Sequence, residues 1–218
     1  MREILGQWGP KGLYTSTLFH YDPRFFYRIG NALELGRSFI RPEYQRQHPP
    51  LFLLWRGLFV ARNPETPVLF GAVSISNDYN PASRRLLAHF LELHRRHEDL
   101  AALIRPRRPF RPPLDQDLDA RAISSLVPDL DSLSVPISDM ESDGKGLPIL
   151  LKQYMKLGGK LPGFNVDPDF SEALDGLVLV DLRATDPAVP QRYMQAEGTS
   201  AFLAYHRQSR AASATGKC

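Results

Sequence analysis

A mixed α/β sheet flanked by helices is the architecture that three features of this 218-residue chain predict. Short apolar runs of strand length stand at Val68–Ser76 and Leu177–Asp181. Between them lie segments whose apolar residues recur at helical spacing, the clearest being Leu86, Leu87, Phe90, Leu91 and His94. Proline, glycine and Asn/Asp punctuation then separates one kind of segment from the other.

In order, Leu13–Phe19 suits a short strand and Asp22-Pro23 a turn or helix start. Ala32–Ile40 reads as a strand that Arg41-Pro42 breaks. Pro49-Pro50 fits the first turn of a helix continuing through Leu51–Trp55 and Leu58–Val60, apolar on nearly all sides and therefore expected to be largely buried. After the strand Val68–Ser76, Asn80 is a good N-cap and Pro81 a good first helical position. Residues 105–146, rich in Pro, Asp and Ser and without periodicity, read as a long excursion or partly ordered loop. Leu147–Leu157 is a helix with Ile149, Leu150, Tyr154 and Leu157 on one side, stopped by Gly158-Gly159. Two strands follow, near Gly163–Val166 and Leu177–Asp181, joined through a turn at Asp167-Pro168-Asp169-Phe170. The residues after about Arg207 are small and polar, as in a disordered tail.

Hydrophobic residues make up 43% of the chain, enough for an ordinary core, and the net charge of +3 forces neither a nucleic-acid nor a membrane-surface role. Charge is unevenly spread: eight arginines lie from Arg84 to Arg111, and eight acids face one arginine from Asp115 to Asp143. Two solvated faces in weak attraction explain this, as does a basic patch that docks an acidic partner. The single cysteine, Cys218, allows no internal disulfide and no cysteine-built zinc site. Residues 1–20 contain Pro10, Lys11 and His20 and lack the apolar stretch of a signal peptide, so the expected compartment is the cytoplasm. His89 and His94 are five apart and share no helix face, so no metal is expected.

Glu34 and Arg37 are charged residues in an otherwise apolar strand. A carboxylate there is costly unless paired, and Arg37 is the natural partner. Strict alternation places the two on opposite faces, so pairing them calls for a β-bulge at Gly36. The alternative is an edge strand with two solvated charges. Ser74 and Asn77 are polar at the end of the second strand, where turn formers are also common.

Several ordered motifs extend this pattern. They are Leu33-Glu34-Leu35-Gly36-Arg37-Ser38-Phe39-Ile40, Pro42-Glu43-Tyr44-Gln45 and Leu53-Leu54-Trp55-Arg56-Gly57, then Leu69–Asn77, Pro148–Tyr154 and Gly163–Phe170, closed by Asp175-Gly176-Leu177 and Val180-Asp181-Leu182. Together they resemble the GNAT-like N-acyltransferases of ornithine- and glycine-lipid biosynthesis, often labelled hemolysin and related to the acyl-homoserine-lactone synthases.

The resemblance implies a GNAT-like α/β fold and transfer of a fatty (3-hydroxy)acyl chain from acyl-ACP, or acyl-CoA, to the amine of an amino acid. It implies no bound cofactor and an acyl carrier protein as partner, with the lipid product giving a route to the inner face of the membrane. Glu34 becomes the candidate base or amine-orienting group, held by Arg37. Ser38, Phe39, Ser74 and Asn77 become candidate substrate contacts, and Phe52 and Trp55 an acyl-tunnel lining or simply buried core. Arg41, Arg46, Arg56, Arg84 and Arg85 become candidate carrier contacts.

GNAT domains carry further strands and helices before the Glu-x-x-Arg strand, so residues 1–31 read as a remnant of the first half of the fold. Residues 32–104 then form the core, 105–146 the excursion, 147–206 the rest of the sheet and 207–218 the tail. An incomplete, non-catalytic module that binds an acyl carrier or a partner protein is the competing reading.

Overall fold

A computed structural model describes residues 1–36, 41–44, 52–57, 65–111 and 122–215, with side chains through Gln208. Its strands are β1 (Phe19–Tyr21), β2 (Ala32–Leu35), β3 (Val68–Ile75), β4 (Ile104–Pro106), β5 (Lys160–Asp167) and β6 (Ala173–Asp181). The labelled helices are α1 (Arg2–Trp8), α2 (Pro23–Ile29), α3 (Pro81–Arg95), α4 (Glu98–Ala101), α5 (Leu130–Met140), α6 (Ile149–Lys156) and α7 (Ala188–Thr215). Residues 52–57 and 122–126 are also helical.

The main sheet has the order β2-β3-β6-β5. β2 runs parallel to β3, and β6 runs antiparallel to both of its neighbours, β3 and β5. This is the mixed sheet flanked by helices that the sequence predicts, and it is consistent with a GNAT-like acyltransferase fold. β5 carries a register shift between Lys160 and Gly163. Pro162 explains it, since a residue without an N–H breaks the ladder and belongs on an edge or in a bulge.

Alternation along β3 divides the core in two. Leu69, Val73 and Ile75 join Leu174, Val178 and Val180 of β6 beneath α3, α5 and α6. Val68, Phe70 and Ala72 join Leu177 and Leu179 beneath residues 13–29 and Leu100, Leu103 and Ile104. Fully buried apolar side chains contribute roughly 1.5–3 kcal/mol each, so both faces are needed to hold the sheet.

Helix starts follow the expected chemistry. Asn80 accepts a hydrogen bond from Ala82 N–H with Pro81 beside it, and Asp22 accepts one from Arg24 N–H ahead of Pro23. Leu86, Leu87, Phe90 and Leu91 are buried as their spacing requires.

Other expectations are corrected. Residues 14–17 form a 3₁₀ turn, and the strand comes later, at Phe19–Tyr21. The helix at 52–57 is largely exposed: Phe52 is 41% and Leu53 58% accessible, and Trp55 alone of the six is buried. Apolarity on all sides was therefore no measure of burial. The excursion 105–146 contains α5, whose Leu133 and Ile137 are completely buried in the core. Its sequence hides a helix because Pro136 lies inside it, while Asp129 caps its start by accepting from Ser132 N–H.

In α6 the buried side chains are Leu151, Tyr154 and Met155, while Ile149 is 65% exposed. Residues 182–206 are not more sheet but mostly helix, and α7 runs on to Thr215 in place of the expected tail. It is two helices joined at a kink at Gln195, where φ is 62°.

Candidate functional site

Glu34 pairs with Phe70 in the β2–β3 register, so its side chain leaves the sheet on the face covered by residues 13–29. There its carboxylate caps the 3₁₀ turn at Tyr14–Thr17. Oε2 accepts from Tyr14 N–H at 3.1 Å, and Oε1 accepts from Thr15 N–H and Thr15 Oγ1–H, each at 2.7 Å. Hydrogen bonds to a charged group contribute roughly 1.5–3 kcal/mol each, so Glu34 ties the N-terminal segment to the sheet. Tyr21 completes the cluster. Its hydroxyl is buried beside Thr15 at a geometry that makes no full hydrogen bond; burial pushes its pKa up, and the Glu34 charge acts in the same direction.

The expected partner Arg37 lies outside the described residues, as do Ser38, Phe39 and Arg46, and with Arg37 the expected Glu34–Arg37 pair and its bulge at Gly36. β2 pairing ends at Leu35 opposite Gly71. A Cβ on Gly71 would lie 2.1 Å from the Leu35 carbonyl oxygen, so only glycine lets the two backbones approach this closely.

β3 continues beyond that point, and its Ser74 is drawn into a second polar cluster on the same face. Ser74 stands opposite Asp175 on β6, which stands opposite Asn165 on β5. Ser74 Oγ–H donates to Asp175 Oδ1 at 2.5 Å. Asn165 Oδ1 accepts from Arg108 N–H at 2.7 Å, fixing the segment that follows β4. Asp175 is only 2% exposed, whereas Ser74 faces solvent. Burial raises the Asp175 pKa; the Ser74 bond opposes the rise and the Asp167 charge adds to it. Asp175 was legible only as turn chemistry, because the signal that sets it apart is cross-strand register.

The remaining candidates are scattered. Asn77 accepts from Arg84, whose other nitrogen donates to the Glu172 carbonyl at 2.7 Å. Arg108 lies 3.6 Å from the Glu172 carboxylate. Arg85 is half-buried with its Nε lacking a hydrogen-bond partner, Arg41 pairs with Glu43 at 2.5 Å, and Arg56 is exposed. Trp55 packs edge-on against Tyr154 at 5.1 Å, and Phe52 stacks on Tyr193 at 5.5 Å. The arginine-rich segment therefore bonds Asn77, Ser16 and Glu172, while in the acidic segment Asp131 pairs with Lys152 and Glu141 with Lys145. Those charged contacts do not join the two segments, which meet instead where His94 Nε2 lies 3.2 Å from the Ser124 carbonyl oxygen.

At the opposite end of the parallel strands lies an open cavity of about 380 Å³, lined by Arg2, Arg28, Asn31, Glu65, Arg183 and His206 among others. None of the expected site residues among those described lines it. Among the described residues no group of His, Cys, Asp and Glu could hold a metal ion, and no helix is long and apolar enough to cross a membrane.

Residues 3–56 match the family model of the acetyltransferase (GNAT) domain. No curated protein and no solved structure matches the chain. The matched stretch contains both the Glu34 cluster and the Trp55 helix. It supports acyl transfer as the general chemistry and is silent on donor, acceptor and pathway.

Proposed function

We propose that this protein is an N-acyltransferase that moves a fatty (3-hydroxy)acyl chain from acyl-ACP, or acyl-CoA, to the amine of an amino acid. The observation that carries the reading is the convergence of polar groups on one sheet face. There the described β2–β3 pairing ends at Leu35 while β3 runs on beside β6, and Glu34 lies inside the stretch that matches the GNAT model.

Amide formation from a thioester needs an amine held against the carbonyl, donors for the developing oxyanion and a route for the amine's proton. A carboxylate has about four acceptor sites. Three of those on Glu34 are filled by Tyr14 and Thr15. Counting the described residues alone, one remains, enough to orient an ammonium group by a single ionic hydrogen bond. Glu34 thus acts as the amine-orienting group, with Arg37 as its proposed second member. The exposed guanidinium of Arg56 and the Arg41 side chain are positioned on the same stretch to meet an acidic carrier.

The test is incubation of the full chain with acyl-ACP or acyl-CoA and a panel of amino acids. Release of free carrier thiol together with an N-acyl amino acid detected by mass spectrometry is the expected result. Carrier binding without turnover under any pairing would overturn it in favour of a non-catalytic carrier-binding module. Glu34→Gln should raise KM for the amine roughly 10- to 100-fold, the equivalent of one charge-assisted hydrogen bond, with a smaller change in KM for the acyl donor.

A further inference from the structure

The open cavity of about 380 Å³ takes no part in the proposed acyl transfer. It lies where Asn31 leads into β2 and Pro67 into β3, beside Arg183 just past the end of β6. β2 pairing ends four residues on, at Leu35, roughly 13 Å away at the rise of a strand. A smaller cavity of about 130 Å³ shares Arg183 and His206 with it and adds Leu203 and Arg207. The two form one cleft.

Charge in this cleft is lopsided. Arg2 of α1, Arg28 of α2, Arg183 and Arg207 of α7 bring four guanidinium groups to its lining from four separate segments. Of the described carboxylates, Glu65 lies on the lining and Asp181 is bound to Arg183. Four against two leaves two positive charges, and His206 adds another whenever it is protonated. Among the described residues no acid pairs with Arg2, Arg28 or Arg207. Like charges gathered this way repel one another, a cost that a bound anion removes.

Packing puts these side chains where they are. Phe25 and Ile29 bury one side of α2 and leave Arg28 exposed in its last turn. Phe202 is buried in the core beneath the other half of the sheet and packs edge-on against His206, one turn further along α7. That contact brings His206 and Arg207 to the cleft. Arg183 is oriented by Asp181, whose Oδ1 accepts from Nε at 2.8 Å and Oδ2 from Nη2 at 2.7 Å. Nη1 is left for a ligand on a guanidinium already held in place.

The arrangement selects the kind of anion. A carboxylate presents two oxygens in one plane and suits a single bidentate arginine. Guanidinium groups arriving from several segments suit a tetrahedral phosphate, whose three terminal oxygens point apart. A phosphate monoester carries about two negative charges near neutral pH, which matches the surplus. The volume lies in the roughly 300–1,000 Å³ range of small-molecule sites, so the cleft holds more than the phosphate alone.

We propose that this cleft binds a small, soluble phosphate monoester at a site separate from the Glu34 cluster. Arg183, common to both cavities, is the central phosphate contact, joined by Arg28 from the larger cavity and Arg207 from the smaller. The site does not depend on the acyl-transfer chemistry.

The experiment is isothermal titration of the full chain with glycerol 3-phosphate in a phosphate-free buffer, with thermal melts confirming that each variant folds. Glycerol 3-phosphate should bind and raise the melting temperature, and inorganic phosphate should displace it. Arg183→Ala, Arg28→Ala and Arg207→Ala should each weaken binding about 10- to 100-fold, the equivalent of one charge-assisted hydrogen bond. Arg105→Ala, an exposed position outside the cleft, should bind as the wild type does. Where Arg183→Ala does not fold because Asp181 loses its partner, the Arg28 and Arg207 variants decide. No binding at millimolar concentration overturns the site, as does a loss in Arg105→Ala equal to that in the cleft variants, which would mean diffuse positive charge alone. Binding to vesicles containing phosphatidic acid without any to the soluble phosphates overturns the small ligand in favour of a lipid surface.

Discussion

The two faces of the main sheet rest on different physics. Beneath α3, α5 and α6 the sheet presents Leu69, Val73, Ile75, Leu174, Val178 and Val180, an apolar surface whose stability comes from packing. The other face begins as an equally apolar cluster around Phe25 and Phe70. It also carries Glu34, Ser74, Asn165 and Asp175, each engaged in hydrogen bonds to another strand or a distant segment of the chain. Within that face the two carboxyls differ again. Among the described residues Glu34 is met by three donors, two of them backbone N–H groups, and Asp175 by one hydroxyl. A carboxylate tied to backbone on several sides holds structure in place, whereas one bonded to a solvent-facing hydroxyl can exchange its proton.

The largest effect is expected on the dry face. Leu133→Ala in α5 removes a completely buried side chain from that cluster and should cost about 2–5 kcal/mol in urea unfolding. A cost under about 1 kcal/mol would mean that α5 is not part of the core. Next comes the wet face: Glu34→Ala leaves Tyr14 N–H, Thr15 N–H and the Thr15 hydroxyl without their acceptor, for about 2–4 kcal/mol. Were its cost to match an exposed surface change instead, the carboxylate would not be anchoring the N-terminal segment. At the β2–β3 contact, Gly71→Ala forces the Leu35 carbonyl away and should cost about 1–3 kcal/mol, with loss of amide protection in β2.

How far each face is legible in sequence follows from the range of the interactions that build it. β3, β6 and α3 are readable because alternation, helical spacing and the Asn80-Pro81 cap are local. α5 is not, since Pro136 and a run of Asp and Ser mask a helix that tertiary burial of Leu133 and Ile137 stabilises. The buried side of α6 is only partly legible for a related reason: Tyr154 and Leu157 are buried as their spacing suggests, but Ile149 and Leu151 are equally apolar, and only the sheet beneath decides between them. Glu34 stands out as a charge in an apolar strand, but its partners are nineteen and twenty residues away in a turn that composition does not reveal. Asp175 is harder still, because Asp-Gly suggests a turn and only the Ser74–Asp175–Asn165 register shows it spanning three strands.

The smallest effect has the most informative sign. Burial raises the Asp175 pKa in the folded protein above its value in the unfolded chain. Between those two values the folded state binds more protons than the unfolded one, so stability falls as pH rises through that window and stays reduced above it. Asparagine in place of Asp175 keeps an oxygen to accept from Ser74 and cannot ionise. Asp175→Asn should therefore track the wild type in acid and become the more stable of the two toward neutral pH, read as denaturant midpoints at pH 3 and pH 7. Glu34→Gln supplies the contrast, since it removes charge from an anchored acceptor and should lose stability at pH 7. Parallel pH curves for the wild type and Asp175→Asn would show that Asp175 carries no burial cost, and the distinction between an anchoring and an exchanging carboxyl would collapse.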